Sequence, residues 1–258
     1  MELLTHIRRT QRPLSEIRSR TKEIYDELLT RSRWITEPNF KSIHSRDLEY
    51  LFERYDKLFF NGHLGLGARA NGTPLTFRVS KRMTRVGGTT TRFRPRFSPG
   101  ARSSYEIAVS STLLFATFHD VTRPISVTGI ECRDRIEALQ RIFEHELIHL
   151  TEMVVFDDSS CSQSRFQSLA FQFFAHTEAT HQLITPGERA VAKFGIRPGD
   201  RVRFVIEGIE YFGVVNRITK RATVLVEDRN APLYSDGRRY AKFYVPLGLL
   251  VPYEDKVA

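Results

Sequence analysis

The sequence predicts an α+β protein: helices packed on a small mixed sheet, followed by a small all-β barrel. Three observations predict it. Apolar residues recur at helical spacing in long stretches through the first two thirds of the chain. Between two of those stretches the spacing switches to alternation. Beyond a break at Pro186 to Pro198 the chain turns to short alternating runs punctuated by glycine. At 258 residues there is room for one large domain, or for a medium and a small one.

The elements follow in order. Leu14, Ile17, Ile24 and Leu28 put one apolar stripe on a charged helix over residues 14 to 34. Residues 1–44 thus read as an N-terminal helical extension that either packs on the main domain or stands off from it. Ser45 is the expected cap of the next helix, whose Leu48, Leu51, Phe52, Tyr55, Leu58 and Phe59 form an apolar face ending at Asn61-Gly62. Leu75, Phe77 and Val79 alternate as a half-buried strand, as do Tyr105, Ile107 and Val109, with a turn at Gly87-Gly88 between them. The strongest helix runs from about Arg133 to Phe156, carrying Ile136, Leu139, Phe143, Leu147 and Leu150. After the loop "DDSSCSQS", Phe166, Leu169, Ala170 and Phe173 define another. The main domain is therefore 45–185. "RVRFVIEG", "IEYFGVVNRI", "RATVLVED" and "AKFYVPL" then predict a small antiparallel barrel or sandwich over 195–254.

Composition narrows the class. An apolar fraction of 41% with 27% charged residues is that of an ordinary globular chain, and no run approaches the ~18 apolar residues of a membrane span. The first residues, MELLTHIRRTQRPLSEIRSR, carry arginines where a secretory signal needs an apolar core. Two cysteines, Cys132 and Cys161, cannot make a disulfide framework and read as thiols of a reducing compartment, so a cytoplasmic location is expected. A net charge of +9 favours an anionic partner, with nucleic acid the first candidate. The charge concentrates between Arg78 and Arg102, a stretch with eight Lys or Arg and no acid. Arg82, Arg85, Arg92, Arg94 and Arg96 are its candidate phosphate contacts, and Phe93 and Phe97 of "RFRPRF" its candidate base-stacking rings. A solvated basic loop is the other reading.

The chemistry lies in "FEHELIHLTE", residues 143 to 152. His145 and His149 are four apart, so on a helix they project from one face, one turn apart, and can share a metal. Glu146, rotated by roughly 100°, can reach a metal-bound water without becoming a ligand. Zinc held by neutral nitrogens acidifies that water, and Glu146 is the candidate general base and acid. Burying two imidazoles and a carboxylate among Phe143, Leu147, Ile148 and Leu150 is costly unless something pairs with them, which argues against a chance pentad. A catalytic zinc needs a third protein ligand. Asp157, Asp158, Cys161, His176 and His181 are the downstream candidates. Glu152 shares the histidine face, but one straight helix cannot wrap a third side chain around the metal.

Three segments ahead of the pentad, and the pentad's own helix, resemble the SprT-like family, the metalloprotease fold shared with Spartan-type DNA–protein crosslink proteases. "YDKLFFNGHL" (Tyr55 to Leu64) is similar to the family's helix end and turn, and "VSKRMTRVGG" (Val79 to Gly88) to its strand and glycine turn. "YEIAVSSTLL" (Tyr105 to Leu114) resembles the strand lining its cleft, and "EALQRIFEHELIHL" its active-site helix. The resemblance spans roughly 45 to 182. It implies a Zn2+-dependent endopeptidase acting on proteins at or near DNA. The family expects His-Gly-x-x-Phe next, its histidine completing the zinc site. Here Phe166 matches, Ser162 stands where the ligand belongs, and Cys161 is one residue earlier. Cys161 is thus the favoured third ligand, with His176, His181 or a carboxylate as alternatives. A thiolate would leave bound water less acidic than a third imidazole does.

The chain also has too few cysteines for the zinc ribbon of several bacterial members. In its place "NRITKRATVLVED" (Asn216 to Asp228) resembles the strand–turn–strand of SH3-like and KOW modules, with Arg217, Lys220, Arg221, Arg238, Arg239 and Lys242 at its edges. That module is either a docking surface for nucleic acid or protein, or a stabilising cap. Two rivals to the peptidase remain: a nucleic-acid-binding protein with a structural or inactive zinc site, and a metal-dependent hydrolase of a non-peptide substrate.

Overall fold

Amphipathic stripes on charged backgrounds build the first helices. The computed structural model describes residues 2–94, 103–121 and 123–253. Helix α1 (Glu2–Arg9) buries Leu3 and Ile7, and α2 (Leu14–Arg31) buries Ile17, Ile24 and Leu28. Helix α3 (Ser45–Phe60) buries Leu48, Leu51, Phe52, Tyr55, Phe59 and Phe60. Its cap is His44 rather than the expected Ser45. The His44 ring accepts from the Arg46 N–H, and the Asp47 carboxylate accepts from the His44 N–H. That reciprocal pair satisfies two donors where a lone serine would satisfy one. Asn61 (φ 54°) and Gly62 (φ 80°) are both left-handed and end the helix, after which α4 (His63–Ala68) follows.

Three strands form a mixed sheet in the order β1-β3-β2. Strand β1 (Leu75–Ser80) runs parallel to β3 (Ser104–Ser110), and β2 (Gly88–Phe93) antiparallel to it. The alternation in β1 and β3 was readable; β2 was not. Its sequence, GTTTRF, has β-branched residues but no apolar alternation, and Gly88, expected in a turn, is its first residue. Helix α5 (Ser111–Ala116) and a short hairpin, β4 (Ile125–Val127) with β5 (Ile130–Cys132), lead to the central helix.

Helix α6 (Arg135–Phe156) opens on Asp134, whose side chain accepts from the Glu137 N–H at 3.0 Å. Most of its residues are buried, on every face, so it is a core helix rather than a surface one. Helix α7 (Ser164–Phe174) packs beside it. Rings fill the space between α3, α6 and α7: Phe60 stacks on Phe173 at 4.8 Å, and Tyr55 meets Phe174 edge-on at 5.7 Å. Each such ring contributes about 1.5–3 kcal/mol by leaving water. All these elements belong to one compact unit, Met1–Leu183.

The second unit is Ile184–Ala258. It contains α8 (Pro186–Phe194) and strands β6 (Arg201–Ile206), β7 (Ile209–Ile218), β8 (Ala222–Glu227), β9 (Tyr240–Val245) and β10 (Val251–Pro252). These make an antiparallel five-stranded sheet, ordered β10-β6-β7-β8-β9. Glu207 (φ 52°) and Gly208 (φ 80°) close the β6–β7 hairpin as a two-residue turn with both φ positive. Val202, Phe204, Val215, Ala222, Val224 and Val245 point inward and share a core with Ile196 and Leu250. Among the described residues no helix is long and apolar enough to cross a membrane.

Candidate metal centre

A helix buried on all faces must find a partner for each polar group it carries. Helix α6 does so almost throughout. Glu144 accepts from Tyr55 Oη at 2.8 Å, pairs with Arg141 at 2.7 Å and meets His176 Nε2 at 2.9 Å. Gln140 donates to the Thr21 carbonyl at 2.9 Å. Glu152, with no exposed side-chain surface, accepts from Ser159 Oγ at 2.8 Å and from Arg165 Nε at 2.6 Å. His145 is the exception. Among the described residues its Nδ1 is buried without a partner, and its Nε2 lies 3.1 Å from His149 Nε2.

The two rings are held from the far side by Phe166 of α7, whose centroid lies 4.8 Å from His145 and 4.5 Å from His149. The chain reverses at Asp157, left-handed at φ 63°, and the following loop brings Cys161 over the same face. One ligand atom each from His145, His149 and Cys161 lies within 4.8 Å of the other two. Two nitrogens on one tetrahedral zinc are separated by roughly 3.3 Å. The observed 3.1 Å between the Nε2 atoms fits that spacing, and two nitrogens with a sulfur are a zinc-type donor set. Burial holds His145 down to about 3, helped by His149 beside it. It holds His149 down to about 4 against the opposing pull of Glu152. Both imidazoles are therefore neutral near pH 7, as a metal ligand must be.

Glu146 turns to the other side, onto β2. Thr90 Oγ1 lies 2.9 Å from both the Glu146 carbonyl and its Oε2. One hydroxyl proton serves one of them at a time, so Thr90 is shared between the Glu146 backbone and its carboxylate. Burial pushes that carboxyl up to about 8, with the Thr90 contact pulling the other way. Gly88 makes the seat: a Cβ there would lie 2.6 Å from Glu146 Oε1. A cleft of about 370 Å³ opens over these groups, lined by Gly88, Thr90, Val127, Met153 and Thr180 along with the three donors.

The other ligand candidates lie elsewhere. His176 is fully buried against Glu144. His181 lines the cleft but stands outside the three-donor cluster. Asp157 is bound by Arg92 and Arg94, the latter at 2.7 Å, and Asp158 lies 3.9 Å from Arg165. The candidate phosphate contacts divide likewise. Arg92, with only 13% of its side chain exposed, and Arg94 meet on Asp157 at the end of α6, whereas Arg82 and Arg85 are exposed in the bend before β2. Arg96 and Phe97 lie outside the described residues. Sequence reading missed Gly88, Thr90, Ser159 and Arg165, which act across strands and loops. The run "GGTTT" was the available signal for the first two.

Comparison with protein-family models, with curated proteins and with solved structures gave no match to this chain.

Proposed function

We propose that this chain is a zinc-dependent endopeptidase of the SprT-like kind. One observation carries the reading: His145, His149 and Cys161 cluster as three donors while Glu146, one residue along the same helix, occupies its own seat on β2. Zinc, when bound, supplies Lewis acidity that polarises a carbonyl oxygen and acidifies water. The chain's own groups do the rest. His145 and His149 offer neutral nitrogens and Cys161 a thiolate. Glu146 accepts a proton from the attacking water at a carboxylate oxygen and delivers it to the amine nitrogen as the C–N bond breaks. Thr90 orients that oxygen.

The structural-zinc rival calls for four protein donors. Among the described residues the cluster has three, which favours an open position for water. X-ray absorption on the zinc-loaded protein separates the two: three protein donors plus oxygen supports the peptidase, and four protein donors overturns it. In the same preparation Glu146→Gln should keep zinc and lose hydrolysis of an unfolded protein substrate by about 10²-fold or more, while His145→Ala should lose zinc. Wild-type turnover in Glu146→Gln would sink the mechanism. A non-peptide ester as the sole substrate hydrolysed would redirect it.

Action at DNA rests on charge. Arg82 and Arg85, exposed beside the cleft, and the basic edges of the second unit are the contacts we propose. That unit, read as a closed SH3-like barrel, would serve as the docking module.

A further inference from the structure

His149 and His145 are not held alike. Among the described residues His145 has no partner at Nδ1, whereas His149 Nδ1 lies 2.7 Å from Ser159 Oγ. The serine belongs to a chain of contacts that ends on a guanidinium. Ser159 Oγ donates to Glu152 Oε2 at 2.8 Å, and the other carboxylate oxygen of Glu152 accepts from Arg165 Nε at 2.6 Å. Glu152 is buried completely, so its charge depends on Arg165 and Ser159 for compensation. The polarity of the chain then follows from proton counting. A carboxylate can only accept, so the single hydroxyl proton of Ser159 points to Glu152. Only lone pairs of that oxygen face His149. His149 Nδ1 must therefore carry the ring proton, which leaves Nε2 bare on the side of His145 and Cys161.

We infer that Ser159, oriented by Glu152 and Arg165, is a positioning residue that fixes His149 in the tautomer whose Nε2 can bind a metal. It works where a carboxylate contacting a ligand histidine directly usually works, with a hydroxyl inserted between the two. Glu152, on the histidine face but held by Arg165, acts through that hydroxyl. The inference rests on the metal-centre reading above, but its first consequence is a property of the metal-free protein. Without Ser159 nothing at Nδ1 selects the tautomer, and His149 is free to place its proton on Nε2, the nitrogen the metal needs.

Two substitutions test it, with Ser159→Thr as the conservative control. Ser159→Ala removes the relay. Glu152→Gln, nearly the same shape, reverses it: Arg165 holds the amide oxygen, the amide nitrogen donates to Ser159, and the serine proton turns to His149 Nδ1. Long-range 1H–15N correlation spectra of the metal-free protein read the tautomer directly. We expect Nδ1–H in the wild type, a mixture in Ser159→Ala, the Nε2–H form in Glu152→Gln, and recovery of Nδ1–H in Ser159→Thr. Zinc affinity, measured by competition with a chromophoric chelator, should fall about 10- to 100-fold in Ser159→Ala and Glu152→Gln and recover in Ser159→Thr. A purely structural role would leave the tautomer where it was. The same tautomer in wild type and both variants, with unchanged zinc affinity, overturns the inference. A wild-type protein with the Nδ1–H tautomer that nevertheless binds no zinc would instead overturn the metal-centre reading and leave the relay standing. Should Glu152→Gln fail to fold, Ser159→Ala, a change in a loop, carries the test alone.

Discussion

At the scale of single residues, the two cysteines have opposite surroundings. Cys132 is 3% exposed, and burial pushes its thiol up to about 12. Cys161 is half-buried at the cleft. Iodoacetamide should therefore label the native metal-free protein once, at Cys161, and zinc should protect it; labelling of Cys132 first, or no protection, contradicts the proposed ligand set. Cys132 also sets a pH dependence. Its native pKa lies above the unfolded value of about 9, so between about pH 9 and 12 the unfolded chain gives up a proton that the native chain keeps. Its contribution to stability is complete below that window and declines as pH rises through it. Urea midpoints should show wild type losing more stability than Cys132→Ala between about pH 8 and pH 10.5. Equal losses would mean that the thiol ionises in place.

Among elements, the N-terminal helices matter more than their charged surfaces suggest. Helix α2 buries Ile24 and Leu28 almost completely, Gln140 of α6 donates to its Thr21 carbonyl, and Tyr25 donates to Asp134, the cap of α6, at 2.8 Å. Both readings of residues 1–44, packed or standing apart, had been open; these contacts are packing. A chain beginning at residue 45 would expose the apolar side of α3 and uncap part of α6. It should unfold at markedly lower urea than the full chain or precipitate on expression, as circular dichroism and solubility would report. A truncated chain with the full-length midpoint would make α1 and α2 an accessory. The pairing of elements also explains why β2 is polar. It is the edge strand that meets α6 through Gly88 and Thr90, so a small residue and a hydroxyl there seat Glu146 where apolar side chains would displace it.

For the whole molecule, the net charge of +9 is long-ranged and salt-sensitive. If DNA is the partner, log affinity should fall linearly with log salt, and Arg82→Gln with Arg85→Gln should flatten that slope by about 2. Arg92→Gln should change it less, because Arg92 is spent on Asp157 and the Met153 carbonyl. Fluorescence anisotropy over a salt series measures both. Salt-independent binding, or none near physiological salt, would leave the basic stretch a solvated surface.

How much was legible divides along a physical line. Local periodicity determined α3, α6 and α7, the strands β1 and β3, the break before the second unit, and the projection of His145 and His149 from one face. Those features depend on residues within a few positions of one another, so spacing alone reports them. The choice of Cys161 over His176 as neighbour of the two histidines was not local. It was decided when Glu144, itself held by Tyr55 and Arg141, claimed His176 inside the core, and when the turn at Asp157 carried the loop back over the cleft. The same holds for Thr90 and Glu146, 56 positions apart, and for Arg165 reaching Glu152 across the loop. A sequence records which groups are able to pair. Burial decides which of them must, because an unpaired polar group left inside has no water to fall back on.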